Sequence, residues 1–294
     1  MPIFKIEKNK AKQLGLKDDG FGDEFSLRDF FAENQNLDEI LGIRFLEKEY
    51  KIPGFRIDTL GIDEDNTPVI IEYKWKENKE VFAQGLAYLN WLRENKSHFE
   101  LLVKNKLGND VEVNWDQPRV ILMARDFSFH IKSAVQTVSN VELKTYALYD
   151  DNILHIENEY SPSIIKFHSK TKKVAKVYKQ SYGLEYHLSN TTPDLQSKIN
   201  ELRDKILQLP GVEEILELKT GMIYRTTKSF TRFQIRKNFI QILLKDPKYK
   251  EDKKVLIKDV SANKWGYRGL VKVVADTDIE YIFNLIEASY NSTL

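Results

Sequence analysis

The segment Arg56–Trp75, RIDTLGIDEDNTPVIIEYKW, constrains the fold of this chain more than any other. Two runs suited to strands flank a polar turn, Asp63-Glu64-Asp65-Asn66. A turn centred on Asp65 pairs Asp58 with Glu72, which places their Cβ atoms roughly 4.5–5.5 Å apart. Residues two apart in a strand share a face, so Lys74 stands on the same side as Glu72. Pro68-Val69-Ile70-Ile71 runs straight into Glu72, and Trp75 follows Lys74. So continuous an apolar run reads as a strand buried on both faces.

Two carboxylates at that separation repel unless something positive lies between them. A divalent cation with oxygen ligands suits the position. A lysine on the same face can hold or polarise a water, or steady a phosphate, which is the chemistry of metal-assisted phosphodiester hydrolysis. A plainer reading stands beside this one. Asp, Glu and Lys also decorate solvated hairpins, and Glu-x-Lys triplets are common in a chain that is 30% charged. Against it, burying Glu72 without a partner would be costly. The following segment, Val81–Leu92, has apolar residues at helical spacing, with Gln84 and Tyr88 four apart on one face. That pair either looks back at the hairpin or borders an ordinary amphipathic helix.

Asp58, then Glu72-Tyr73-Lys74, then Gln84-x-x-x-Tyr88, resembles the PD-(D/E)XK nuclease superfamily, in the RecB-type branch that carries a glutamine and a tyrosine on the helix after the catalytic strands. The resemblance covers roughly Ser26 to Tyr149, and Ile57 rather than proline precedes Asp58. It implies an α/β, restriction-endonuclease-like mixed sheet flanked by helices. It implies Mg²⁺ or Mn²⁺ on Asp58 and Glu72, with the backbone carbonyl of Tyr73 completing the site. Lys74 would orient or activate the water, and Gln84 and Tyr88 would fix the site or touch the substrate backbone. In this family an acidic residue on the helix before the first catalytic strand often assists the metal. Glu47, within Leu41–Tyr50, matches that position, with Glu49 as the fallback. The implied activity is an endo- or exonuclease acting on DNA, in repair or in defence. An RNA-processing endonuclease is one alternative. A non-catalytic nucleic-acid-binding or assembly protein that keeps the fold is another.

Other chemistries find little support in the 294 residues. The chain has no cysteine, which excludes disulfides and thiolate metal sites. Its five histidines form no close pair at zinc-ligand spacing. No phosphate-binding glycine loop, nucleophile elbow or dinucleotide fingerprint occurs. The N-terminal stretch lacks the apolar core of a signal peptide, and no stretch approaches the ~20 apolar residues of a membrane span. The expectation is a cytoplasmic protein with no membrane partner. A homodimer or a protein partner stays open, because no coiled-coil repeat signals one.

A net charge of +1 hides an asymmetry. Residues 1–160 carry 21 Lys+Arg against 29 Asp+Glu, and residues 161–294 carry 24 against 15. That division suggests a nuclease-like domain over 1–160, a basic linker over 161–190 and a smaller α+β domain over 191–294. An acidic part would bind metal and cut, and a basic part would hold a polyanion. The smaller domain resembles an uncharacterised bacterial domain found at the C-terminal end of nuclease-like proteins, which implies an architecture and no activity. Lys172 and Lys173 in the linker are candidates to grip phosphates. Aromatics interleave with cations around Arg225, Lys228 and Arg232, and again at Trp265, Tyr267 and Arg268, a pattern that suits base stacking beside phosphate contacts. The alternative is core aromatics alternating with surface charge on strands. Finer expectations are Ser26 as a helix cap, strands at 118–124, 141–149, 215–218, 233–235, 239–244, 255–257 and 269–274, and a last helix capped by Asp276 or Thr277.

Overall fold

In the computed structural model, which describes residues 2–75, 80–160, 182–216, 221–263 and 266–294, the hairpin forms in the register read from the sequence. Thr59 pairs with Ile71, Leu60 with Ile70, Gly61 with Val69 and Ile62 with Pro68. The turn closes through Asn66 N–H donating to Asp63 O at 3.0 Å, and the Asp63 carboxylate accepts Asp65 N–H at 2.9 Å. Asn66 takes the positive φ (59°) that Asn tolerates well in tight turns. The described residues fall into two compact units. One holds most of residues 2–160; the other holds most of 182–294 together with Ile40–Gly42 and Asp63–Asn66.

The first unit runs β1 (Phe4–Glu7), β2 (Lys10–Gln13), α1 (Glu24–Ala32), α2 (Asn36–Leu41), β3 (Ile43–Ile52), β4 (Phe55–Asp63), β5 (Pro68–Lys74), α3 (Val81–Glu94), α4 (Lys96–Leu107), β6 (Arg119–Ala124), α5 (Phe129–Val135), β7 (Val141–Tyr149) and β8 (Ile153–Tyr160). β1 and β2 form an exposed two-stranded ribbon. The other six strands make one sheet in the order β3-β4-β5-β6-β7-β8. Its middle is parallel, β5 to β6 to β7, and β4/β5 and β7/β8 are antiparallel. Parallel neighbours need a crossover, which α3 and α4 supply before β6 and α5 supplies before β7. Every residue of β5 is buried, as its apolar run demands. Ile70, Leu122, Leu143, Leu89 and Leu92 lie in the core between sheet and helices. Gly85 lets α3 sit close: a Cβ there would stand 3.0 Å from Val120 Cγ1 and 3.2 Å from Leu122 Cδ2.

Two local expectations fail in this unit. The first helix is capped by Asp23, whose Oδ1 accepts Ser26 N–H at 2.6 Å, and not by Ser26. Asp is as good an N-cap as Ser, and the motif sits three residues earlier. The stretch 41–50, read as helical, is mostly strand β3. Ile43, Leu46 and Tyr50 lie at helix-like spacing, but Glu49 adopts φ 54° and breaks the simple alternation of the strand.

The second unit runs α6 (Leu184–Ser189), α7 (Pro193–Ile206), β9 (Glu213–Ile215), β10 (Met222–Arg225), β11 (Ser229–Arg236), β12 (Phe239–Leu244), β13 (Lys258–Asp259), β14 (Gly269–Val273) and α8 (Ile279–Asn291). Its six-stranded sheet is antiparallel throughout, in the order β13-β14-β12-β11-β10-β9. Leu195, Ile199, Leu202 and Ile206 of α7 and Ile282, Leu285 and Ile286 of α8 pack with the strands in a second core. The span read as a basic linker lies outside the described residues as far as 181. Its later part includes α6, whose buried His187 Nε2 bonds to Leu216 O at 2.8 Å. Residues 255–257 form no strand: Val255 has φ 53°, and the Asp252 carboxylate takes the N–H groups of Leu256 and Ile257. Asp278, and neither Asp276 nor Thr277, caps α8 by accepting Tyr281 N–H. Strand β10 was not foreseen. Among the described residues no helix is long and apolar enough to cross a membrane.

Candidate active site

The β4–β5 ladder changes character at Asp58 and Glu72. Asp58 N–H donates to Glu72 Oε1 at 3.1 Å, and Tyr73 N–H donates to Asp58 Oδ2 at 3.1 Å. Each carboxylate is thus held by the backbone of the opposite strand. Period-two alternation puts Asp58, Glu72 and Lys74 on the same face as Leu60 and Ile70, which pack in the α3-side core. Tyr73 points the other way, where Phe31 of α1 stacks on it at 5.7 Å. Only its backbone is therefore available to the site.

Glu72 is 1% exposed and Lys74 9%. Burial, followed by the charge of Asp58, pushes Glu72 up to about 9. Burial likewise raises Asp58, against the opposing pull of the Tyr73 N–H and the Lys74 charge. Burial thus favours the protonated form of both carboxyls. Burial pulls Lys74 down, but its bond to Glu24 and the charges of Asp58, Glu24 and Glu72 carry it above its ordinary value. The neighbouring carboxylates thus favour the charged form of Lys74, which can donate and neutralise.

Glu24 is the site residue that sequence reasoning missed. It opens α1 directly after the Asp23 cap, and its Oε1 lies 2.8 Å from Lys74 Nζ. Phe31, fully buried against Tyr73, fixes α1 on the sheet and so fixes Glu24. The available signal was an acid at the start of an apolar-striped helix ahead of the hairpin. Glu47 does not fill that role: it stands on β3, and its carboxylate pairs with Lys106 of α4 at 2.9 Å. Glu49, the fallback, binds Arg28 and Arg56, each at 2.9 Å.

Gln84 and Tyr88 do share a face of α3. Gln84 Nε2 donates to Tyr88 OH at 2.6 Å. Burial raises the Tyr88 phenol, Gln84 opposes that, and the charges of Glu72 and Asp58 add to it, which places the ring within the field of the carboxylates.

No family model matches the chain. It is 30% identical over 304 residues to an uncharacterized protein of Haemophilus influenzae, and the match covers 98% of each sequence. The chain belongs to that protein's family. Among solved structures, a repair endonuclease from Pyrococcus abyssi matches 39% of this chain and 43% of its own, at 20% identity and a TM-score of 0.27. EndoMS in complex with dsDNA matches 49% of this chain and 64% of its own, at 15% identity and a TM-score of 0.30. EndoMS in apo form gives 48% and 61%, with 16% identity and a TM-score of 0.26. The chain thus spans less than two thirds of the length of each of these three structures.

Among the described residues no group of three or more His, Cys, Asp or Glu side chains is arranged to hold a metal ion. The donors at hand are the half-buried Asp58 carboxylate and the buried Glu72 carboxylate. They are hard oxygen ligands, and they fit Mg²⁺ or Mn²⁺ better than a soft or borderline metal.

The residues proposed to bind nucleic acid in the C-terminal part divide three ways. Lys172, Lys173 and Trp265 lie outside the described residues. Arg225 and Arg232 are each 6% exposed and Tyr267 is fully buried, which contradicts a role for them as an open binding surface. Arg225 pairs with Glu213 and Arg232 with Asp65, and Lys245 sits over the Tyr267 ring. The alternation of rings and cations follows strands β10 and β11: Tyr224 and Phe233 join the second core, and Arg225 and Arg232 take the opposite face, where ion pairs keep them buried. Lys228 is half-buried and Arg268 is exposed.

Proposed function

We propose that this protein is a Mg²⁺- or Mn²⁺-dependent nuclease that hydrolyses phosphodiester bonds in DNA. The observation that carries the reading is the convergence of Asp58, Glu72 and Lys74 at one end of a buried hairpin, with the lysine held charged by Glu24. A half-buried and a buried carboxylate side by side, both with raised proton affinity, form a site a divalent cation would discharge. Asp58, Glu72 and the Tyr73 carbonyl would hold that cation. When bound, it supplies Lewis acidity toward a phosphoryl oxygen.

The remaining steps belong to the chain. Lys74 donates to the attacking water or to a non-bridging phosphoryl oxygen, and its charge opposes the negative charge that builds up as the water adds to phosphorus. Its part is to orient the water and to stabilise that charge. Glu24 fixes the direction of the ammonium. Gln84 and Tyr88 offer a hydrogen-bonding edge beside the carboxylates, suited to holding the substrate backbone.

The test is cleavage of plasmid, single-stranded and branched DNA with Mg²⁺ or Mn²⁺, by wild type and Lys74→Ala. Cleavage by wild type that EDTA and Lys74→Ala both abolish supports the reading. No cleavage of any substrate by wild type, with DNA still retarded in a gel, overturns it in favour of a binding protein.

A further inference from the structure

Two phenylalanines stand open to solvent beside residues of the proposed site. Phe55 opens β4, three residues before Asp58, and is 59% exposed. Phe25 follows Glu24 on α1 and is 56% exposed. Single exposed apolar side chains are ordinary, and either ring alone would mean nothing. Both, however, are braced by a neighbouring side chain. Phe55 meets the Tyr88 ring edge-on, with centroids 6.0 Å apart. Phe25 lies under the Arg28 guanidinium, 5.1 Å from its centre. The two positions are also tied together: Arg28 Nη1 and Arg56 Nη1, the latter on the residue after Phe55, both bind Glu49 Oε1 at 2.9 Å.

We propose that Phe55 and Phe25 stack against an unpaired nucleobase of the substrate strand, so that the preferred substrate is single-stranded or branched rather than continuous duplex. The inference rests on the nuclease reading and extends it to substrate class. An aromatic face accepts any base, and a neighbouring guanidinium meets phosphate, which together form the working surface of single-strand binders. Arg56 supplies that cation, with 48% of its side chain exposed. A base inside a continuous duplex already stacks on both faces and has none to offer a ring. An unpaired base does, and Tyr88 behind Phe55 connects such a base to the carboxylate pair.

The experiment uses the full chain with Mg²⁺ or Mn²⁺ and compares wild type, Phe55→Leu, Phe25→Leu and Phe55→Trp. Substrates are a single strand, the duplex of the same sequence, and the single strand carrying one abasic position moved stepwise along it. Thermal melting checks that each variant is folded. Loss of one stacked base should raise KM on the single strand about tenfold in Phe55→Leu with little change in kcat, and Phe55→Trp should restore it. One abasic position should reproduce that loss in wild type and cost nothing further in Phe55→Leu. Equal losses on single strand and duplex, or no change on either while wild type cleaves, would overturn the stacking role and leave the nuclease reading intact. A wild type that cleaves nothing overturns both.

Discussion

Lys74 Nζ lies 2.8 Å from Glu24 Oε1 and 4.0 Å from Glu72 Oε2, so one ammonium is shared by a neighbour in its own strand and a carboxylate fifty residues away in sequence. The shorter bond fixes its direction, and the longer one leaves it within reach of the carboxylate pair. Replacing Lys74 by Ala should lower kcat by about 10²–10³-fold, the usual worth of a donor aimed at charge that develops in the transition state. Glu24→Gln keeps a hydrogen-bond acceptor but removes the charge, and should lower kcat by about 10–100-fold, as changes to supporting partners do. Single-turnover cleavage measures both. A Glu24→Gln variant as fast as wild type would reduce Glu24 to an ordinary residue of the α1 first turn.

Stability should depend on pH through Glu72. Its ordinary value is 4.5, and burial with the nearby Asp58 charge raises it to about 9 in the folded chain. Between those values the folded state holds a proton that the unfolded state has lost. That contribution to stability is complete below about pH 4.5 and is lost as pH rises through about 9. Asp58, shifted in the same direction, adds to the trend. The melting temperature in EDTA should therefore fall across this range, and Glu72→Gln should flatten the fall. Mg²⁺ or Mn²⁺ should act in the opposite sense, because binding displaces the proton: apparent affinity should rise with pH, by up to about tenfold per unit. A metal affinity independent of pH from 6 to 9 would refute this assignment.

Tyr88 separates packing from chemistry. Its ring is buried, and its hydroxyl accepts from Gln84 at 2.6 Å. Tyr88→Phe keeps the ring and deletes one hydrogen bond, a loss of about 1 kcal/mol in stability. If the Gln84–Tyr88 edge holds the substrate backbone, the cleavage rate should drop about tenfold or more, beyond anything so small a stability change explains. Urea titration and steady-state cleavage on the same preparation decide between the two effects.

What the sequence made legible was local. The Asp58–Glu72 pairing could be read because a short polar turn fixes hairpin register, and one slip would turn every side chain to the opposite face. β5 and β6 stood out because strands buried on both faces are nearly all apolar, and β7 because its residues alternate. Glu24 was hidden because nothing in its neighbourhood records that Phe31 stacks on Tyr73 and carries α1 to Lys74; that is tertiary information. β3 was misread because the family resemblance puts an accessory acid on a helix ahead of the hairpin, and Glu47 was matched to it. Arg225, Arg232 and Tyr267 were misplaced for a different reason. Alternation shows that two faces differ, but not which of them meets water.

Arg203 and Glu214 provide a test of the second unit that does not depend on catalysis. Arg203 Nε donates to Glu214 Oε1 at 2.7 Å, and Nη2 donates to Oε2 at 2.8 Å, a two-point pairing that ties α7 to the edge strand β9. The Glu214 side chain is only 9% exposed, and the bond to it raises Arg203 above its ordinary value. Arg203→Met keeps most of the apolar stem and strands a buried carboxylate. Breaking a buried pair this way costs about 3–5 kcal/mol, and the partial exposure of Arg203 should bring the loss nearer to 2. The double variant Arg203→Met, Glu214→Met removes both charges and should recover most of it. A chain with two cores need not unfold in one step, so the readout is amide hydrogen exchange in α7 and β9. Protection there should fall in the single variant and return in the double. Equal protection in all three proteins would class the pair as a surface contact with no structural weight.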